Sequence, residues 1–213
     1  YGFAEVVSDL ARVLDALGRD RPVVAGQSWG GNVVLELAAR HPEAVRGIVG
    51  VDGGFLELGA RFPDWESCRE ALAPPDIEGL EFDTIAAMVR AHHPDWPDAG
   101  IAGVLACFER RPDGTVAPWL ARAAHLEILR HLWEHVPSAR YAALEVPALL
   151  LVADDAGEPE WTELKQRDLA AVEAAAPPGR LRAVWIEGDH DLHAQHPARV
   201  AELIHDAAEN EFG

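Results

Sequence analysis

The segment Gly26-Gln27-Ser28-Trp29-Gly30-Gly31 constrains the fold of this 213-residue chain more than any other feature. The apolar run at 22–26 is too short for a helix and predicts a buried strand, whereas the pattern at 29–40 predicts a helix. Glycine at positions 26 and 30 leaves room for a sharp turn between the two elements. We therefore expect Ser28 to have strained backbone angles and to hold its hydroxyl above a sheet.

The rest of the chain repeats this alternation of strand and helix at its two ends. Further strands are predicted at 47–51, 147–153 and 181–186, and further helices at 3–17, 160–176 and 197–209. Strands that are continuous apolar runs separated by helices are typical of an α/β protein, in which helices cover both faces of a mostly parallel sheet.

The segment 55–140 has a different character, with many prolines and no convincing buried strand. Helices are predicted in it at 64–72, 83–92, 98–109 and 119–135, and a turn at 111–115. We therefore expect residues 1–54 and 141–213 to form the α/β core, and residues 55–140 to form an all-helical cap inserted between two strands.

Charge and cysteine content restrict the partners of the protein. With 18 basic and 36 acidic residues the net charge is −18, so nucleic acid and membrane surfaces are poor candidates. Cys68 and Cys107 lie in no metal-binding or redox motif, which favours reduced thiols and a cytoplasmic location. The pair His131 and His135 lacks the H-E-x-x-H pattern, and we expect neither a metal nor a cofactor.

A serine on this kind of turn becomes a nucleophile only when a base takes its proton. The segment 188–197 follows the last predicted strand and offers His190, His193 and His196, of which His190 lies nearest the strand end. The N–H of Trp29, at the start of the predicted helix, could hold a developing oxyanion.

These two segments resemble the α/β-hydrolase superfamily, and the resemblance extends over the whole chain. The superfamily commonly has a proline seven residues after its catalytic histidine, and Pro197 follows His190 by seven. The resemblance thus implies Ser28 as nucleophile and His190 as base. Ser28 excludes the haloalkane dehalogenase and epoxide hydrolase subgroups, which use an aspartate at this position.

The resemblance leaves two candidates for the acid that orients the histidine. A common family pattern, G-x-x-D after a later strand, puts the acid at Ala156 when Ala153 takes the glycine position. Asp155 would therefore serve only in a loop one residue shorter. Other members take their acid from the strand end that corresponds to Asp52. We favour Asp52 and keep Asp155 as the alternative.

The resemblance implies a serine hydrolase that acts through an acyl-enzyme. The aromatic side chains of the predicted cap favour a small, mostly apolar ester, lactone or amide as substrate, and the single lysine with many alanines and prolines is typical of a bacterial source. Two alternatives remain open: a ligand-binding protein of the same fold with slow or no turnover, and a C–C hydrolase or hydroxynitrile-lyase-like enzyme. We expect substrate contacts from Gln27, Phe55, Trp65, Trp119 and Trp133.

The turn that carries Ser28 is called the nucleophile elbow, and its position predicts that this chain is part of a longer protein. The full family fold has eight strands with the elbow after the fifth, whereas here one strand precedes it. The missing strands, and the H-G loop that gives a second oxyanion N–H, would add on the order of 60–90 residues before Tyr1. The partners we expect are a small-molecule substrate and either this upstream segment or a homodimer partner.

Overall fold

A single parallel sheet organises the computed structural model, which describes residues 1–212. Its strand order is β1-β2-β5-β6, and a separate antiparallel pair joins β3 and β4. The predicted core segment 141–213 ends at Gly213, which lies outside the described residues. The strands are β1 (Val23–Gln27), β2 (Gly47–Val51), β3 (Phe108–Arg110), β4 (Val116–Pro118), β5 (Ala148–Asp154) and β6 (Leu181–Glu187).

Helices connect these strands; most of the predicted helices are present, and the short helices at 58–61, 137–141 and 192–195 were not predicted. Within residues 1–212, no helix is long and apolar enough to cross a membrane. The helices are α1 (Phe3–Ala16), α2 (Trp29–Arg40), α3 (Leu58–Arg61), α4 (Trp65–Leu72), α5 (Phe82–His92), α6 (Asp98–Leu105), α7 (Arg122–Glu134), α8 (Pro137–Tyr141), α9 (Pro159–Ala175), α10 (Leu192–Gln195) and α11 (Pro197–Asp206).

Apolar side chains cover both faces of the sheet, as predicted from the continuous apolar strands. Along β5, Leu150 and Val152 point into the core shared with α2 and α9, while Leu149 and Leu151 point into the core shared with α11. All four side chains are buried. This alternation is the two-residue period of a strand whose two faces are both covered by helices.

Strand β1 is less buried than the sequence predicts. Among the described residues it pairs only with β2, from Val23 opposite Gly47 to Gln27 opposite Val51. Its residues are half-buried and Ala25 is exposed. Within the described residues, β1 is therefore half-buried where the sequence predicts a buried strand.

The segment 55–140 lies between β2 and β5 and is not all-helical. The predicted helix at 98–109 ends at Leu105, and the chain then forms the hairpin of β3 and β4 around the predicted turn at 111–115. Gly114 has a φ of 88°, which suits glycine in a tight turn. Strands of three residues are too short for alternation to reveal them in the sequence.

A buried polar network joins the end of α7 to α2. Glu36 is fully enclosed and accepts hydrogen bonds from His135 Nε2 at 2.8 Å, Arg140 Nε at 2.6 Å and Arg40 Nε at 2.6 Å. Burial alone would raise the pKa of Glu36, but these donors lower it to about 2. The carboxylate is thus held ionised on α2, the helix that directly follows Ser28.

Asn32 extends this network to the loop after β2. Its Oδ1 accepts the N–H of Gly54 at 3.1 Å, so its Nδ2 is the atom that faces His135 Nδ1 at 2.9 Å. Because Nδ2 donates, Nδ1 of His135 accepts, and Nε2 is the ring nitrogen that donates to Glu36. The network therefore fixes the loop after β2 against α2.

Glu36→Gln is expected to lower the free energy of unfolding at neutral pH by about 3 kcal/mol. Because the pKa of Glu36 is depressed in the folded protein, its contribution is complete above the ordinary value of 4.5 and is lost as the pH falls toward about 2. Urea unfolding at about pH 7 and about pH 3 should show the gap between variant and wild type shrinking. Glu43→Gln, at an exposed position, is the control; an equal loss in both variants would contradict the prediction.

Candidate active site

Ser28 lies on a strained turn between β1 and α2. Its φ of 52° and ψ of −123° fall in a region that non-glycine residues rarely adopt. A Cβ on Gly26 would meet the Gly30 carbonyl oxygen at 2.1 Å, and one on Gly53 would meet the Ser28 carbonyl oxygen at 2.0 Å. A Cβ on Gly30 would meet no atom within 4 Å. Within the described residues, position 26 therefore requires glycine, whereas position 30 has space for a side chain.

Three side chains from separate loops form one chain of hydrogen bonds. Ser28 Oγ lies 2.9 Å from His190 Nε2, and His190 Nδ1 lies 2.7 Å from Asp52 Oδ2. Since Asp52 only accepts when ionised, Nδ1 carries a proton and Nε2 is free to accept from the serine. All three residues follow the carboxyl ends of parallel strands, which meet at one edge of the sheet.

Asp52 is held by two further donors. Its Oδ1 accepts the Ala153 N–H at 2.9 Å, and its Oδ2 also accepts Lys165 Nζ at 2.8 Å. The side chain is fully buried, and the backbone has a φ of 43°. Sequence reasoning missed Lys165, although a lysine between Trp161 and Leu169 on the inward stripe of α9 is a visible signal.

Burial and hydrogen bonding shift the pKa values of Asp52 and His190 in opposite directions. Burial would raise the pKa of Asp52, but the hydrogen bond from His190 and the charge of Lys165 bring it below its ordinary value. Burial would lower the pKa of His190, but the hydrogen bond and charge of Asp52, aided by Asp191, bring it above its ordinary value. Asp52 therefore stays ionised, and His190 is a stronger base than a free imidazole.

Asp155, the alternative acid, lies elsewhere in its loop. Its Oδ1 accepts the N–H of Gly157 at 2.8 Å, a turn contact within the loop between β5 and α9. Of the two carboxylates, Asp52 is the one within hydrogen-bond distance of His190. The geometry thus favours the first choice made from the sequence.

The loop that carries His190 is fixed from two sides. Gln27 Nε2 donates to the His190 carbonyl at 3.2 Å, so this side chain supports the loop in place of the expected substrate contact. On the other side, Asp189 Oδ2 accepts from Trp96 Nε1 at 2.8 Å and lies 3.1 Å from His93 Nδ1. These contacts hold the His190 loop from both sides.

His193 and His196 lie on the helices that follow. His193 is exposed on α10, and His196 Nε2 donates to the Glu187 carbonyl at 3.0 Å. Among the described residues, His190 is the histidine hydrogen-bonded to Ser28, and it is the one chosen from the spacing to Pro197.

Trp29 is the first residue of α2. Its backbone N–H belongs to the first turn, where a helix offers no carbonyl partner of its own. It follows directly after Ser28, so it can donate to an oxygen that gains negative charge on a bound acyl group. The positive end of the helix dipole adds to this stabilisation.

A cavity of about 520 Å³ opens beside Ser28 and His190. Segment 55–140 contributes aliphatic walls, and Trp29 of α2 and Trp161 of α9 also line the cavity. Asp155 and Glu158 add two carboxylates to the lining. The aliphatic lining residues are Leu56, Leu58, Ala71, Leu72, Ile128, Leu129 and Leu132.

The four aromatic residues expected to contact substrate, all within the described range, are not among those that line this cavity. Phe55 is buried in the main core, Trp65 packs against Trp133 with ring centroids 6.3 Å apart, and Trp119 is exposed. This expectation was wrong because an aromatic side chain contributes buried area wherever it packs, and its position in the sequence does not say which cavity it faces.

A second, wider groove of about 900 Å³ also borders His190. It is open to solvent and carries several carboxylates, among them Asp154, Glu187 and Asp191. Asp155 and Glu158 border both cavities. The surface beside His190 is therefore acidic, in agreement with the net charge of the chain.

Comparisons with known proteins point in one direction. A family model described as the alpha/beta hydrolase family matches residues 1–203. The protein named "Putative carbamate hydrolase RutD" from Azorhizobium caulinodans is 31% identical over 158 residues, which is 74% of this chain and 57% of that protein. The chain thus spans less than two thirds of the length of this relative.

Solved structures with the same arrangement of elements include two hydrolases of low sequence identity. The structure of E-2-(acetamidomethylene)succinate hydrolase is 19% identical, with a TM-score of 0.69 over 97% of this chain and 73% of that one. The M. tuberculosis esterase is 22% identical, with a TM-score of 0.69 over 97% of this chain and 69% of that one. At this identity the likeness concerns the fold.

Proposed function

Because the chain belongs to the alpha/beta hydrolase family, we propose that it is a serine hydrolase that cleaves a small, mostly apolar ester, lactone or amide. The parallel sheet and the family match agree with the fold expected from the sequence. The observation that carries the proposal is the hydrogen-bond chain from Ser28 through His190 to Asp52.

The proposed reaction begins with proton transfer. His190 Nε2 takes the proton of Ser28 as Oγ attacks the carbonyl carbon of the substrate. The carbonyl oxygen becomes an oxyanion that accepts from the Trp29 N–H, while Asp52 stabilises the imidazolium. His190 then gives its proton to the departing alcohol or amine, which leaves an acyl group on Ser28.

The second half of the reaction repeats these steps with water. His190 removes a proton from a water molecule, whose oxygen attacks the acyl carbon and forms a second oxyanion in the same place. When that intermediate collapses, the proton on His190 returns to Ser28 Oγ and the acid product is released. The net change is the addition of one water across the ester or amide bond.

The aliphatic walls of the cavity support a mostly apolar acyl group. Residues 55–140 are proposed to act as a cap, because Ile128, Leu129 and Leu132 of α7 lie over the space beside Ser28. The carboxylates of Asp155 and Glu158 in the cavity lining disfavour an anionic substrate. The carbamate in the name of the Azorhizobium relative adds neutral carbamates to the substrates to test.

A fluorophosphonate probe tests the nucleophile directly. We expect it to label the protein once, on the peptide that contains Ser28, because the probe reacts with serines that a neighbouring base activates. Mass spectrometry of the digested protein identifies the labelled residue. Ser8→Ala, at an exposed position on α1, is the matched control and should be labelled as fully as the wild type.

Labelling should disappear in Ser28→Ala and be retained in Ser8→Ala. A folded wild-type protein that takes up no probe, or one labelled at another serine, would contradict the proposed nucleophile. Hydrolysis of a p-nitrophenyl ester series from acetate to octanoate then tests the proposed apolar acyl site.

A further inference from the structure

Lys165 is the only lysine of the chain, and its ammonium is buried beside the proposed triad. Its side chain is 6% exposed, and Nζ donates to Asp52 Oδ2 at 2.8 Å and to the Ala153 carbonyl at 3.0 Å. A buried ammonium is costly unless it is paired and hydrogen-bonded, as this one is. The proposed reaction uses Ser28, His190 and Asp52, and gives Lys165 no part.

The oxygen that Lys165 contacts is the same oxygen that orients His190. Asp52 Oδ2 accepts from His190 Nδ1 at 2.7 Å and from Lys165 Nζ at 2.8 Å, whereas Oδ1 is occupied by the Ala153 N–H. We propose that Lys165 is a positioning residue that sets the working pH of His190 by sharing Asp52 Oδ2 with it. This inference rests on the proposed serine hydrolase function.

The sharing has two opposing consequences. The positive charge of Lys165 holds Asp52 ionised although its side chain is fully buried. The same charge disfavours the protonated form of His190, because two cations then lie within hydrogen-bond distance of one oxygen. Lys165 thus limits the rise in the pKa of His190 that Asp52 causes, so the histidine remains unprotonated and able to act as base at lower pH.

Other titratable groups surround this pair and contribute to its field. Asp191 lies next to His190 and raises its pKa, and the remaining groups lie around the cavity and groove. They are Asp154, Asp155 and Glu158 from the end of β5 and the loop after it, Glu187 and Asp189 from the end of β6 and its loop, His92, His93 and Asp95 from the end of α5 and the loop after it, His196 and Arg199 at the start of α11, and His125 from α7. Lys165 is the cation among these neighbours that contacts Asp52.

The test compares Lys165→Met and Lys165→Gln with wild type by NMR titration of the His190 imidazole. Met removes the charge at similar length, and Gln removes it but keeps a donor for Asp52. We expect the pKa of His190 to rise by about one pH unit in both variants. The acidic limb of the kcat/KM profile for ester hydrolysis should move upward by the same amount. Should Lys165→Met fail to fold, Lys165→Gln carries the comparison.

Arg199→Met is the matched control, since Arg199 borders the open groove but pairs with exposed Glu202. Because solvent screens it, we expect the pKa of His190 to change by less than about 0.3 unit. An unchanged or lowered His190 pKa in the Lys165 variants, or an equal rise in Arg199→Met, would overturn the inference. The NMR titration does not require turnover, so a protein that cleaves no ester would refute the proposed function and still test Lys165.

Discussion

Ser28→Ala is expected to lower kcat for a cleaved ester by about 10⁶-fold, and Ser28→Ala with His190→Ala is expected to lose no more. The two residues act as a unit, because the base has no proton to take once the serine hydroxyl is gone. The serine without its base is equally inert, since a neutral hydroxyl is a poor nucleophile. The double variant is therefore expected to lose the same factor in kcat as Ser28→Ala alone. Residual rate would come from binding and from the Trp29 N–H.

The measurement is a double-mutant cycle on kcat with an ester identified in the p-nitrophenyl series. His193→Ala is the matched control, because His193 is an exposed histidine of the same loop region. It should retain kcat within a factor of about two. Losses that multiply in the double variant would show that Ser28 and His190 act in separate steps, contrary to the hydrogen bond between them.

The meeting of Ser28, His190 and Asp52 could be predicted because parallel strands impose it. Each of these residues follows the carboxyl end of a strand whose apolar run is visible in the sequence. In a parallel sheet those ends lie side by side, so chemistry-bearing residues after different strands converge. The choice between Asp52 and Asp155 needed the structure, since one residue of loop length decides which carboxylate reaches His190.

The cavity lining and Lys165 could not be predicted in the same way. Trp65 and Trp133 pack against each other within segment 55–140, and this contact depends on how α4 and α7 pack. Lys165 is conspicuous on the inward face of α9, but a lone lysine at an apolar position does not indicate which residue it pairs with. Sequence periodicity specifies which face of a helix is buried and leaves the opposing residues to tertiary packing.

Asp52→Asn is expected to lower kcat by about 10⁴-fold, whereas Asp155→Asn should change it little. The reason lies in the orientation that the amide must take. The Ala153 N–H occupies Oδ1, so the amide oxygen has to stay there and the NH₂ group replaces Oδ2. That NH₂ faces His190 Nδ1 and makes Nδ1 the acceptor. The imidazole proton then lies on Nε2, where it cannot accept from Ser28.

The same NH₂ group also faces the ammonium of Lys165, which loses its counterion. Removing one partner of a buried ion pair costs about 3–5 kcal/mol, so thermal unfolding must be measured beside kcat. Asp52→Asn with Lys165→Met separates the two effects, because it removes the uncompensated ammonium and leaves the wrong tautomer. We expect this double variant to regain stability and to remain inactive. Recovery of kcat together with stability would show that the loss came from misfolding and that Asp52 does not set the tautomer of His190.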